Sequence, residues 1–340
     1  MILRDFLWEL VHINAPSGFE SDVAERLAEE LKASTDQIEK DAMGNLIAIR
    51  KGAEPSILVA CHMDEVGMFV EYVEANFVYF KPSGLLEVDN LFGVPMTILT
   101  EGGPVTGITR SPYHHLSFMG ESVPKTRNWI DIAGQKGVKP GDPIVFAPNA
   151  LWLDKQTLAS KAIDPRAACA AMVESAHILK SKDIKNTIYF VGLVREEVGS
   201  LGSQYLSAHL KPNYAIVIDM WFGDDASIPK GLGRPLDGGP VIFRFIRSIN
   251  DAMMSIAHPR VVQALSMTAE ELNQPYSYGI ISEGYDDLPG IQQGWPAVIG
   301  ASVGIPRRYS HCQFEVVDLR TIVHTANMVA GAVEKLSRAK

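Results

Sequence analysis

The chain has 340 residues, 46% of them hydrophobic, with 31 Lys and Arg against 40 Asp and Glu and a formal net charge of -9. That length and apolar content suffice for one large core or two ordinary ones, and an acidic balance without any basic block argues against nucleic acid as a principal partner. Cys61, Cys169 and Cys312 are too few and too scattered for a disulfide framework, which points to a reducing, cytoplasmic setting. No apolar run is long enough to span a membrane, so no membrane partner is expected.

In chain order, Leu3, Phe6, Leu7, Leu10 and Val11 have helical spacing and lack the continuous apolar core of a signal peptide. Ser17 and Glu20 are spaced as a capping box ahead of an amphipathic helix through Val23, Leu27 and Leu31. Strands are predicted at 46–49 and 56–60, the second ending in Cys61-His62-Met63-Asp64-Glu65. From about residue 69 to 149 short β-like runs, at 77–80, 96–99, 105–108 and 144–146, alternate with Gly and Pro turns, the texture of an inserted β domain. Helix and strand then alternate: a helix at 165–182, a strand at 187–193, a helix near 203–210 and a strand at 214–218 ending at Asp219. A strand at 241–245, a helix at 252–272, strands at 278–281 and 297–303 and a helix at 317–336 follow. The pattern predicts an α/β fold, a mostly parallel central sheet with helices on both faces, carrying an inserted small β-barrel-like domain. The expected division is a catalytic domain of 1–67 and 160–340 interrupted by a β domain of 68–159.

The functional residues gather beyond the strands. Val194-Arg195-Glu196-Glu197 places adjacent carboxylates at a strand's carboxyl end, where ligands collect in open α/β sheets. One could hold a metal while its neighbour faces substrate, or the two could be a solvated loop pair. His62, Asp164, Asp219 and His311 fall on other segments at the same edge of the sheet, and each alone is open to a structural reading, Asp164-Pro165 as an N-cap with proline at the first helical position, for example. Together, two imidazoles and several carboxylates are the donors that a pair of divalent ions requires. Asp64, two residues beyond His62, is on the same side of an extended chain and can accept the other ring N–H. Cys61 and Cys312 adjoin candidate histidines and are read as packing residues. His114 and His115 are read as serving a loop or a subunit contact.

These residues carry a resemblance. His62-Met63-Asp64-Glu65-Val66-Gly67, Asp164-x-Arg166, Glu196-Glu197-Val198-Gly199, Asp219 and Pro306-x-Arg308-Tyr309-x-His311 resemble the M42 metalloaminopeptidases, the glutamyl and tetrahedral aminopeptidase relatives. Pro16-Ser17-Gly18-x-Glu20, Asp41-x-x-Gly44-Asn45, Gly107-Ile108 and His115-Leu116 are supporting matches. The resemblance implies two divalent metal ions per subunit, zinc or cobalt, with His62 and Asp219 on one, Glu197 and His311 on the other and Asp164 bridging. It also implies Glu196 as the general base acting on a metal-bridging water, with Asp64 supporting catalysis beside it. Short peptides losing their N-terminal residues are the implied substrates, and a homo-oligomer, from dimer to dodecamer, the implied assembly, with the β domain as lid and dimerisation element.

Where relatives have Asp-Asp-Arg or Asp-Asn-Arg, this chain has Asp164-Pro165-Arg166, and proline lowers the cost of a cis peptide after the bridging Asp. The family's Gly-Thr-Asp-Ala becomes Gly284-Tyr285-Asp286-Asp287. If Asp286 and Asp287 line the pocket, they oppose acidic substrate side chains. Alternative functions are a metal-dependent N-acyl amide deacylase and a catalytically silent assembly-forming relative. Glycoside hydrolysis needs two carboxylates about 5 to 9.5 Å apart and no metal pair, which the donor set does not suit.

Overall fold

The computed structural model describes residues 2–89, 91–110, 128–225, 227–248 and 252–338. Its largest feature is a twelve-stranded sheet. The main path runs Gln37–Lys40, Leu46–Arg50, Asn186–Leu193, Ala53–His62, Tyr214–Phe222, Ile299–Arg308, Glu315–Asp318, Thr157–Ser160 and Leu151–Trp152. Its centre, from Asn186–Leu193 to Ile299–Arg308, is parallel, and the flanking strands pair antiparallel. The parallel centre is as expected from the sequence; the antiparallel edges refine it.

Side chains of the central strands alternate between two apolar layers, as the pleat requires. Ile57, Val59, Ile188, Phe190, Ile216 and Ile218 pack in one core with the helices Leu3–His12, Ser21–Leu31, Ile163–Lys180, Pro259–Glu271 and Leu319–Ser337. Leu58, Ala60, Val191, Leu193, Ala215 and Val217 face the other way, towards the helices Leu201–His209 and Asp287–Gly294. Both faces are therefore covered, which fixes the register: a slip by one residue would exchange the two layers.

Six strands, Gly67–Glu74, Phe77–Ser83, Pro95–Thr100, Gly103–Thr109, Trp129–Asp131 and Pro143–Phe146, close into a barrel. Its interior is a separate apolar core containing Met68, Val70, Phe80, Ile98, Ile130 and Phe146. Leu151–Trp152 and Thr157–Ser160 pair within the large sheet, so the chain returns there before the expected boundary at residue 160. His114 and His115-Leu116 fall outside the described residues.

Two expectations fail locally. The helix expected at 252–272 is confined to Pro259–Glu271, because Met254–Ile256 pairs antiparallel with Val241–Arg247 and Pro259 opens the helix behind a His258 cap. The capping box at Ser17 and Glu20 is absent: neither side chain caps Ser21–Leu31, and both are used at the site below. Among the described residues no helix is long and apolar enough to cross a membrane.

Candidate metal centre

The carboxyl edge of the parallel strands brings the predicted residues together. His62 closes the strand Ala53–His62, Glu196 and Glu197 follow Asn186–Leu193, and Asp219 lies inside Tyr214–Phe222 opposite Gly304 rather than at its end. Asp164 enters from the first turn of Ile163–Lys180, where it and Pro165 are non-helical and joined by a cis peptide bond. His311 comes from the loop after Ile299–Arg308. His62 Nε2 is 3.0 Å from Asp164 Oδ1 and 3.8 Å from Asp219 Oδ1. His311 Nε2 is 3.6 Å from Asp164 Oδ2 and 3.4 Å from Glu197 Oε1. Asp164 thus presents one oxygen to each imidazole.

Asp64 organises the first half of this cluster. It is fully buried and faces His62 Nδ1 at 3.4 Å, a long contact for a hydrogen bond. Its Oδ1 accepts the Glu196 N–H (2.9 Å), while Oδ2 accepts the Glu197 N–H (3.1 Å) and the Ser17 hydroxyl (2.6 Å). Arg195 takes φ +58°, the left-handed turn that precedes these two N–H groups. Ser17 is therefore engaged by Asp64, and Glu20 Oε1 accepts the Gly18 and Arg195 N–H groups, which explains the missing capping box. Beneath, Lys161 Nζ donates to both oxygens of Glu65 (2.7 and 2.8 Å), and Arg166 donates to the Met63 and Leu10 carbonyls. All three side chains are buried; breaking such a pair costs about 3–5 kcal/mol, because the orphaned charge stays desolvated.

The second half is built from a loop and from the barrel. His311 has φ +56°, its N–H donates to Glu315 Oε1 (2.8 Å), and its Nδ1 lies 2.7 Å from the Leu85 carbonyl. Donation there puts the proton on Nδ1 and leaves Nε2 free to face the carboxylates. Glu315 Oε2 accepts the Asp164 N–H (2.9 Å), and Arg307 Nη2 donates to Asp164 Oδ2 (2.5 Å).

The electrostatics follow from crowding. Burial pushes the Glu196 carboxyl well above its usual range, His62 opposes this, and Glu197 and Asp219 add to it. Burial likewise lifts Glu197 to about 7, against His311 and with Asp164. Burial works against protonation of both imidazoles, yet the surrounding carboxylates hold His62 well above normal and His311 up at about 9. Burial would raise Asp164, but Arg307 and the two histidines hold it well below the carboxylate range. Anions this close need cations. The groups His62/Asp164/Asp219 and Asp164/Glu197/His311 each offer donor atoms within 4.8 Å of one another, a nitrogen and oxygen set that suits borderline divalent ions. The residues fit a metal pair.

A cavity of about 720 Å³ opens over the cluster. Trp221, Phe222, Phe243 and Ile281 give it an apolar wall beside Glu283 and Tyr285, and the segment after the barrel strand Phe77–Ser83 adds Leu85, Glu87, Leu91 and Val94. Asp286 and Asp287 do not line it. They are buried, with Asp286 Oδ2 and both oxygens of Asp287 unpartnered, and burial raises them to about 8 and about 7. Cys61 packs in the core as expected, whereas Cys312 is exposed beside the cavity.

Sequence reading misses Arg307, Glu315, Lys161 and the Leu85 carbonyl. Arg307 had a signal: it continues the face of Ala301, Val303 and Ile305, which are core residues, and a charge on a core-facing register is out of place unless something binds it. The Leu85 carbonyl had none, since any residue could supply it.

Fold and site define a hydrolase, a peptidase whose donor groups can hold metal. The chain belongs to the M42 glutamyl aminopeptidase family, whose model matches residues 44–328, and peptidases of that family are metal-dependent. It is 30% identical to an aminopeptidase inferred in Acetivibrio thermocellus, over 97% of this chain and 98% of that one. Identity to the lysyl aminopeptidase of Pyrococcus furiosus (strain ATCC 43587 / DSM 3638 / JCM 8422 / Vc1) is 26%, covering 97% of each. The structure of an aminopeptidase from the archaeon Desulfurococcus kamchatkensis superposes with a TM-score of 0.89 at 29% identity, covering 99% of this chain and 95% of that one.

Proposed function

We propose that the chain removes N-terminal residues from short peptides using two divalent ions, zinc or cobalt, and a water nucleophile. The observation that carries this reading is Asp164, one oxygen towards His62 and the other towards His311. His62, Asp219 and Asp164 would hold one ion, and Glu197, His311 and Asp164 the other. When bound, the ions polarise the scissile carbonyl and acidify water.

Glu196 is assigned as the general base: it borders the cavity, and although its carboxylate also reaches a donor group with His62 and Glu197, it stands outside the two groups that share Asp164. It takes a proton from the attacking water and returns it to the leaving amine. Asp64 acts as a positioning residue, because it holds the backbone of Glu196 and Glu197 in place and does not border the cavity. The apolar wall of Trp221, Phe222, Phe243 and Ile281 favours a substrate with an apolar N-terminal side chain, because burying that side chain against it removes apolar surface from water. The inserted β domain, built on the six barrel strands, serves as lid and subunit contact in a cytoplasmic homo-oligomer; light scattering of the intact protein reads the subunit number.

A panel of aminoacyl p-nitroanilides with free and acetylated N-termini tests the function. Turnover of the free series, apolar residues first, that is lost with chelator and regained with zinc or cobalt is expected. Release of acetate from the acetylated series, with no p-nitroaniline from the free series, would make the protein a deacylase, and metal-loaded protein inert to both series would make it a silent relative.

A further inference from the structure

Arg307 stands at the x of Pro306-x-Arg308-Tyr309-x-His311, the position the motif leaves undefined, and it reaches into the centre. Its Nη2 donates to Asp164 Oδ2 at 2.5 Å and to Ser310 Oγ at 2.6 Å, and its Nε lies 3.3 Å from Glu315 Oε1. The side chain is buried. A guanidinium cannot shed its charge, and this one is fixed between Asp164 and Glu315 with little access to water. The oxygen it holds is the one facing His311 Nε2; Asp164 Oδ1, facing His62, is left clear.

We infer that Arg307 makes the two cation sites unequal, a fixed positive charge on Asp164 Oδ2 that competes with the ion of the Glu197/His311 site and leaves the His62/Asp219 ion largely unaffected. The inference rests on the dinuclear reading above. Two effects act together: the guanidinium occupies part of the oxygen's lone-pair space, and it repels a dication across a short, poorly screened distance. Glu315 offsets the repulsion in part, but it cannot free the oxygen. The ordinary alternative is that Arg307 merely orients Asp164. The two differ in sign, because losing an orienting partner weakens metal binding by about 10–100-fold, whereas losing a competitor strengthens it.

The test is metal retention by the loaded full-length protein, dialysed against zinc buffers of decreasing free concentration and counted by plasma mass spectrometry. Wild type should release one ion at free zinc about ten-fold or more above the other. R307Q should hold the weaker ion to at least about ten-fold lower free zinc, with less than about three-fold change for the stronger one. A second ion seen only in R307Q supports the inference equally. Weaker retention of both ions in R307Q, unchanged retention, or simultaneous loss of both ions from wild type overturns it while leaving the dinuclear reading intact. A single ion in both proteins at every zinc concentration overturns the dinuclear reading and this inference with it. Should R307Q fail to fold, R307K carries the test: its less extended reach should move the weaker ion part-way, and no movement overturns the inference.

Discussion

The two imidazoles of the centre are held in different ways. His62 ends a central strand, is 2% exposed, and faces a carboxylate, Asp64, that is itself fixed by Ser17 and by the backbone of Glu196 and Glu197. His311 rides on a loop in the left-handed region of backbone space, and its ring is tied across a gap to the Leu85 carbonyl, just past a barrel strand. One half of the site is preorganised by the sheet; the other is completed only when the barrel segment is docked. A perturbation inside the sheet should therefore disturb both ions, and a perturbation at the barrel only one.

The largest effect on this contrast is expected from Asp64→Asn. The amide keeps one acceptor oxygen but turns a donor towards the N–H group on its other side, so Glu196 and Glu197 can no longer both be held. Retention of both ions should weaken by about 10–100-fold, measured by equilibrium dialysis; a loss confined to one ion would break the contrast. A smaller and one-sided effect is expected at Gly84, which has φ +81° and lies against Glu197. A Cβ there would sit 3.3 Å from the Glu197 carbonyl oxygen and 3.5 Å from its Cβ, in a conformation that costs a non-glycine residue about 1–2 kcal/mol. Gly84→Ala should displace the Gly84–Leu85 segment and weaken the Glu197/His311 ion about ten-fold, a modest version of losing an outer partner, with the other ion unmoved. Equal weakening of both would show that the barrel segment does not act on one half alone.

Protonation sharpens the contrast further. Without metal, His311 is held up at about 9 and Glu197 at about 7, so near neutral pH both carry protons that an ion must displace. A raised pKa keeps the protonated, non-ligating form to higher pH. Affinity at this half should then climb with pH by up to about ten-fold per unit for each proton displaced and level off near pH 9. Calorimetry in buffers of different ionisation heat reads the protons released, and pH-independent affinity between 7 and 9 would contradict the assignment.

Legibility in the sequence follows the same division. Continuous apolar runs made the parallel strands readable, and with them His62, Glu196, Glu197 and Asp219, because a polar residue at or near the end of a buried strand has few places to go. His311 was readable as a donor at the same sheet edge and through its resemblance motif, but how it is held was not, since that depends on a loop and a distant carbonyl. Ser17 misled because a hydroxyl three residues ahead of a glutamate suits a helix cap, and tertiary demand from Asp64 prevailed. Ala252 to Pro259 misled because an apolar, alanine-bearing run reads as helix until an edge partner claims it as strand. Asp286 and Asp287 were visible as an acidic pair, but nothing local distinguishes a pocket-lining carboxylate from a buried one.

The most direct measurement compares bound metal and turnover in two single substitutions of adjacent residues. Glu196→Gln should keep both ions and lose about 10²–10⁴ in kcat, the usual contribution of a positioned base, whereas Glu197→Gln should lose the His311-side ion first and activity with it. Equal metal loss in both variants, or full turnover in Glu196→Gln, would contradict the division of the pair into base and ligand.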